Sequence, residues 1–203
     1  MQALKLCLVL NGPPNSGKDT LANLLVSSHG FTKHQMKDTL YAETAKAFDI
    51  EESVFTALAG DRELKELSLP MLNDLTPRQA MIHVSQNIIK PRYGTDYFGN
   101  CAAVDCLKNG SQKTVFSDGG FVEEIKPLLR VFEKVVIFHL YKEGSTFSGD
   151  SRDYVTGFPN TYPLHVIEGQ QSMAIRDICQ ILTGIIRPPS EVALGEVVSQ
   201  VAG

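Results

Sequence analysis

Near its amino terminus the chain reads "GPPNSGKDT", residues 12–20: a glycine, four residues, a second glycine and a lysine. Glycines at that spacing let a loop close its backbone amides around an anion, because a side chain would hold the anion off. Lys18 adds a cation that can follow the phosphates of a nucleotide. The residue after this lysine is normally Ser or Thr, whose hydroxyl holds magnesium; here it is Asp19. Thr20 does not substitute for it, since one step along a helix turns a side chain by about 100°. The pattern predicts a triphosphate site made by Gly12, Asn15, Ser16, Gly17, Lys18, Asp19 and Thr20, with its metal held through water and acidic residues. The competing reading, a glycine turn with an exposed lysine, is disfavoured by the flanking sequence.

A second carboxylate, Asp118, follows the apolar stretch in "KTVFSD". At the end of a buried strand it has the place of an acid that orients magnesium through water, or of an aspartate that caps the turn before Gly119 and Gly120. Phosphoryl transfer also needs cations to hold the acceptor and damp charge in the transition state. Arg62, Lys65, Arg78 and Arg92 are the candidates before Asp118. Arg152, within "GDSRDY", follows it on a polar segment that could close over phosphates; an ion pair with Asp150 or Asp153 is the bland alternative. His34, His83, His139 and His165 have no partner at zinc or triad spacing and read as structural.

Apolar periodicity supplies the elements that must position these groups. Leu4 to Leu10 is a nearly continuous apolar run, as in a parallel strand covered on both faces, and Asn11-Gly12-Pro13 ends it. Leu21, Leu24, Leu25 and Ser28 then recur at helical spacing up to Gly30. Phe31 to Gln35 reads as a short strand, followed by a helix through Leu40, Ala45 and Phe48. Glu51 to Leu72 is polar and reads as solvated helix and mobile loop. Thr76-Pro77 opens a helix whose stripe is Ala80, Met81, Val84 and Ile88, with Pro91 as its end. A further helix is expected from Asp96 to Lys108, stopped by Asn109-Gly110.

Thr114 to Ser117 is a buried strand, and a helix with Val122, Ile125, Leu129 and Phe132 inward follows, Pro127 sitting near its first turn or at a kink. "KVVIFHLY", Lys134 to Tyr141, is the third clear buried strand. Lys142 to Pro163 is a long Gly, Ser, Thr and Asp-rich loop of lid length. "LHVIEG" gives a last strand and Met173 to Leu182 a closing helix, with a linker and weak helix from Gly184. Alternating strands and helices make the expected class α/β, an open parallel sheet flanked by helices. The expected layout is one domain over 1–203, with an acceptor-binding helical region at about 49–100, a lid at about 142–163 and a tail at 184–203.

Composition narrows the partners. A net charge of −4 gives no basic footprint for a nucleic-acid polymer. The first apolar run is far short of a membrane span and lacks a signal-peptide cleavage pattern, so a cytoplasmic protein is expected. Cys7, Cys101, Cys106 and Cys179 have no zinc-like spacing and read as reduced thiols. The partner is a small molecule, and a homodimer is allowed.

Taken together, "GPPNSGKDT", "DRELKE", "LTPRQAMIHVSQNIIKPRYGTDYFGN" and the strand ending in Asp118 resemble the deoxynucleoside monophosphate kinases of bacteriophages, a branch of the P-loop nucleotide kinases, in order over residues 4 to 183. The resemblance implies a nucleoside-monophosphate-kinase-like fold with an acceptor-binding insertion and a lid, in a host cytoplasm. It implies transfer of the ATP γ-phosphoryl group to a deoxynucleoside 5′-monophosphate with Mg2+, giving ADP and the diphosphate. Gly12, Gly17, Lys18, Asp19 and Thr20 would hold the ATP phosphates, Arg78 and Arg92 the acceptor, and Arg152 would be the lid arginine. Lys18, Arg152 and a metal oriented by Asp118 would stabilise the group in flight, and no strong general base is needed. Where the family reads Asp-Val-Arg-Phe, this chain has Asp118-Gly119-Gly120-Phe121 and lacks the arginine. Gly119 therefore keeps two alternatives open: a phosphomevalonate-like acceptor, or a binding module without catalysis.

Overall fold

The computed structural model describes residues 4–150 and 152–186. Its centre is the first apolar run, which forms β1 (Leu6–Asn11) and is buried at every position. Alternation divides the core: Leu6, Leu8 and Leu10 face one helical layer, while Cys7 and Val9 face the other. Five parallel strands form one sheet in the order β2-β3-β1-β4-β5, with β2 Thr32–His34, β3 Lys113–Phe116, β4 Lys134–Tyr141 and β5 Thr161–His165. The expected α/β class with an open parallel sheet is the observed one. The connection after β1 leaves toward β2 and that after β4 toward β5, so a crevice opens at the carboxyl ends of these neighbours.

Helices α1 (Lys18–His29) and α8 (Gln171–Ile186) cover the Leu6, Leu8 and Leu10 face. In α1 the buried stripe is Leu21, Ala22 and Leu25; Ser28, expected on it, is exposed. Helix α6 (Tyr97–Lys108) and the short α7 (Val122–Ile125) cover the other face. Pro127 breaks the helix after α7 into a tighter 3₁₀ segment, Lys126–Arg130. That tightening buries Leu128 in place of the expected Leu129, which is 50% exposed.

Between β2 and α6 the chain builds a helical annex: α2 (Met36–Ala47), α3 (Glu52–Gly60), α4 (Pro77–His83) and α5 (Lys90–Tyr93). The segment expected to be solvated has its own core, where Phe55 and Leu72 are 0% exposed against Tyr41, Ala45, Ala59 and Ala80. Two apolar anchors in a polar stretch suffice, because partners come from α2 and α4. Thr76 opens α4 as expected, accepting from Gln79 N while Gln79 accepts from Thr76 N in a capping box. Pro91 does not end this run. A π-helical turn, Val84–Ile89, precedes it, and the wider turn admits a ring that would strike a carbonyl in a regular α-helix. The helix passes through Pro91 to Gly94, whose φ of 98° stops it. The extra residue in that turn buries Ile89, leaving Ile88 40% exposed.

β5 begins at Thr161 and carries Pro163, three residues before the expected start, because Pro is admissible in a strand on the sheet edge. α8 continues to Ile186, through the start of the expected tail, and residues 187–203 of that tail lie outside the described residues. No helix among the described residues is long and apolar enough to cross a membrane.

Candidate active site

The loop from Gly12 to Lys18 joins β1 to α1 at the sheet's carboxyl edge. Asn15 (φ 63°) and Gly17 (φ 92°) adopt left-handed conformations around Ser16, a geometry that turns successive amides toward one point ahead of the α1 dipole. Gly12 has a steric reason of its own: a Cβ there would lie 2.9 Å from both Leu140 Cβ and Ser16 Oγ. The Lys18 ammonium folds across the loop, donating to Gly12 O at 2.7 Å and Pro13 O at 2.6 Å. Burial, with Arg152 nearby, lowers its pKa to about 8 against the pull of Asp19, Asp150 and Asp118.

Asp19, at the position usually held by a hydroxyl, is paired with the hydroxyl of Ser117, the residue that follows β3. Its Oδ1 accepts from Ser117 Oγ at 2.7 Å, Lys33 Nζ at 2.7 Å and Gln35 Nε2 at 3.4 Å. Burial pushes this carboxyl up, but the Lys33 and Ser117 hydrogen bonds outweigh it and hold it below the usual range. Asp118 accepts the Met36 amide on Oδ1 at 3.0 Å and the Lys37 amide on Oδ2 at 2.9 Å, anchoring the start of α2. Burial raises its pKa, with those two amides opposing. One lone pair on each oxygen is thus committed to structure, and the carboxylate also lines the adjoining cavity.

That cavity, about 460 Å3, is walled by the helical annex, by Asp118, Phe121 and Glu124, and by Asp150 and Arg152. Of the cations expected on the acceptor side, Arg62, Lys65 and Arg78 line it together with Arg152. Arg62 also reaches the loop, donating to Asn15 Oδ1 at 3.3 Å, while Arg78 pairs with Glu66 at 2.8 Å. Arg92 is not among the lining residues; its guanidinium lies 5.1 Å from the Tyr93 ring centre. Lys37 of α2 and Lys90 of α5, which sequence reasoning did not single out, line it instead, the latter 5.0 Å over the Phe121 ring. Arg152 forms the bland ion pair that its neighbours allowed: Nε donates to Asp150 Oδ1 at 2.8 Å and Nη2 to Oδ2 at 2.6 Å.

Three further groups escaped sequence reasoning. Glu124 is 8% exposed yet lines the cavity, and burial with Asp118 nearby raises its pKa to about 7 against Lys90 and Arg152. Its only signal was its place six residues past Asp118, on what read as a helix's polar side. Asn11, 1% exposed, binds Gly119 O, Asp153 O and Val155 N, and a polar residue closing an apolar strand was the available clue. Tyr41 and Phe121 add aromatic rings to the cavity lining. Position by position, Gly119 stands at the valine of the Asp-Val-Arg-Phe pattern and Gly120 at the arginine, so the lost side chain belongs to 120. Gly119 is itself confined, since a Cβ would come within 2.5 Å of Val9 Cγ1.

A parallel α/β sheet whose first strand opens into a glycine and lysine loop defines the class, a P-loop α/β protein. The sequence matches no family model and no curated protein. Among solved structures it is similar to a gluconokinase of Sinorhizobium meliloti, at 11% identity, with all of both chains covered and a TM-score of 0.44. It is similar to a sugar kinase of a Janibacter species at 14% identity, over 88% of this chain and 94% of that one, TM-score 0.41. A Thermus thermophilus protein is similar at 14% identity over 89% and 97%, TM-score 0.49.

Proposed function

We propose that the protein transfers the γ-phosphoryl group of ATP to a deoxynucleoside 5′-monophosphate. The observation that carries this reading is the meeting of two things at one crevice. One is the phosphate loop with Lys18; the other is a cavity lined by Lys37, Arg62, Lys65, Arg78 and Arg152 together with Tyr41, Phe98 and Phe121, joined to the loop where Arg62 donates to Asn15. Cations suit the acceptor phosphate, and an aromatic wall suits a nucleobase.

An oxygen of the acceptor phosphate bonds to the γ-phosphorus as the bond from that phosphorus to the β,γ-bridging oxygen breaks, and ADP leaves with the bridging oxygen. The acceptor oxygen is already anionic, so positioning and charge stabilisation suffice. Lys18 exchanges its carbonyl partners for phosphate oxygens, and Arg152 stabilises charge on the group in transfer. The donor set fits a magnesium ion that arrives with the nucleotide. Among the described residues no three metal-ligating side chains cluster, and Asp19 spends only Oδ1 on its neighbours, leaving Oδ2 for a metal-bound water. When bound, that ion neutralises charge on the β- and γ-phosphates.

The test is ADP release from ATP and magnesium with each of the four common deoxynucleoside monophosphates, with phosphomevalonate as a baseless comparison. At least one deoxynucleotide is expected to be phosphorylated, and Lys18→Ala to lose more than about 100-fold in rate. Calorimetric uptake of ATP without phosphorylation of any acceptor in the panel would favour the binding module and reject the kinase reading.

A further inference from the structure

Arg152 reaches the cavity by a path that depends on a glycine in a different element. A Cβ added to Gly120 would lie 2.9 Å from Arg152 Cγ and 3.5 Å from Arg152 Cβ, with Cδ nearer still. The direction in which residue 120 would send a side chain is therefore the volume that the Arg152 stem fills. A side chain at 120 and the Arg152 stem compete for that volume, and one of them must shift.

The segment bearing Arg152 is pinned at the same spot. Asn11 donates from Nδ2 to Gly119 O at 3.1 Å and to Asp153 O at 3.3 Å, and its Oδ1 accepts from Val155 N at 3.0 Å. One buried side chain at the end of β1 thus binds the stretch after β3 to the stretch around 153–155. His139 Nε2 lies 2.8 Å from Val155 O, and the Tyr154 hydroxyl donates to Leu140 O at 2.7 Å, tying the same segment to β4. The guanidinium is then aimed by Asp150, which accepts from Nε, Nη2 and the Arg152 amide. A long side chain held by its stem, its backbone and one edge of its head, through Nε and Nη2, has little rotamer freedom left to lose when it meets an anion.

We propose that Arg152 is a fixed wall of the cavity, delivered from the segment after β4 into the volume that a side chain at position 120 would otherwise occupy, with Asn11 and Asp150 as its positioning residues. It acts without a closing movement. The inference rests on the phosphotransfer reading for what the arginine does, but its geometry is testable apart from it.

The first measurement is 15Nε relaxation of the arginine side chains in the full chain without nucleotide. Arg152 is expected to show an order parameter near the rigid-backbone value of about 0.85, and Asn11→Ala to lower it below about 0.6. An Arg152 signal already below about 0.6 in the unaltered protein overturns the proposal, whatever the protein phosphorylates. The second measurement is kinetic, with the acceptor that turns over. Arg152→Ala is expected to lose about 100-fold in kcat/KM. Adding Gly120→Arg to it should recover at least about tenfold, whereas Gly120→Arg alone should impair the enzyme because two side chains then claim one volume. Guanidinium ion supplied to Arg152→Ala should also restore turnover, a readout that holds if the double variant folds poorly. Failure of both rescues refutes the shared volume; failure of the wild-type protein with every acceptor refutes the phosphotransfer reading alone.

Discussion

Replacing Glu124 by Gln is expected to stabilise the protein, and only above mildly acidic pH. The carboxyl sits in the cavity wall, 8% exposed, where burial raises its pKa from an ordinary 4.5 to about 7. The folded chain therefore holds this proton more tightly than the unfolded chain does. As pH rises through 4.5 the unfolded chain ionises freely while the folded one resists, so folding loses free energy until the pH passes about 7 and then no more. At about 1.4 kcal/mol per pH unit, the step from 4.5 to about 7 amounts to about 3 kcal/mol. Glutamine keeps the shape and escapes the cost. Urea denaturation of both proteins at pH 5 and pH 8 is the assay: the variant's advantage should be larger at pH 8 by about 2 kcal/mol. In thermal melts, a full 3 kcal/mol corresponds to about 10 °C for a chain of this size. An advantage of equal size at the two pH values would show that the carboxyl is not desolvated, and the reasoning would be wrong.

Two more outcomes follow from the same geometry. Lys18 must carry its proton to bind a triphosphate, and its pKa is lowered to about 8, so kcat/KM for ATP should fall as pH rises through about 8; kcat should hold to higher pH, because bound phosphates restore the ammonium, and a pH–rate series that shows no such split refutes this. Phe55→Ala should cost about 3–5 kcal/mol of stability in denaturant melts, since Phe55 is wholly buried with its ring 5.9 Å from that of Tyr41, which lines the cavity proposed for the acceptor; acceptor KM should rise while calorimetric ATP affinity is unchanged.

How much of this was legible in the sequence depends on the span over which each feature is encoded. The loop from Gly12 to Lys18, the strand before it and the cap at Thr76 are local patterns, and each lies where residues within a few positions dictate. Side-chain facing was misread wherever the helical period changed. Ile88 and Leu129 are correct choices for a 3.6-residue period, but the π turn at Val84–Ile89 and the 3₁₀ turn at Lys126–Arg130 move the buried position by one residue, to Ile89 and Leu128. The core around Phe55 was hidden because its partners lie on other helices. Asn11 and Gly120 stood out only as a polar end to an apolar strand and a missing arginine, since their meaning lies in contacts with residues 153–155 and 152, more than a hundred and more than thirty positions away along the chain.

Pro163 in β5 has a consequence for how this molecule meets its own kind. Val166 N donates to Tyr141 O, so the two-residue period of a strand points the amide positions of 161, 163 and 165 away from β4, toward whatever passes the sheet's rim. At the middle of those three the imino ring offers no hydrogen. A foreign strand laid along that rim finds its ladder broken at the central rung, which protects the open side of the sheet against edge-to-edge stacking.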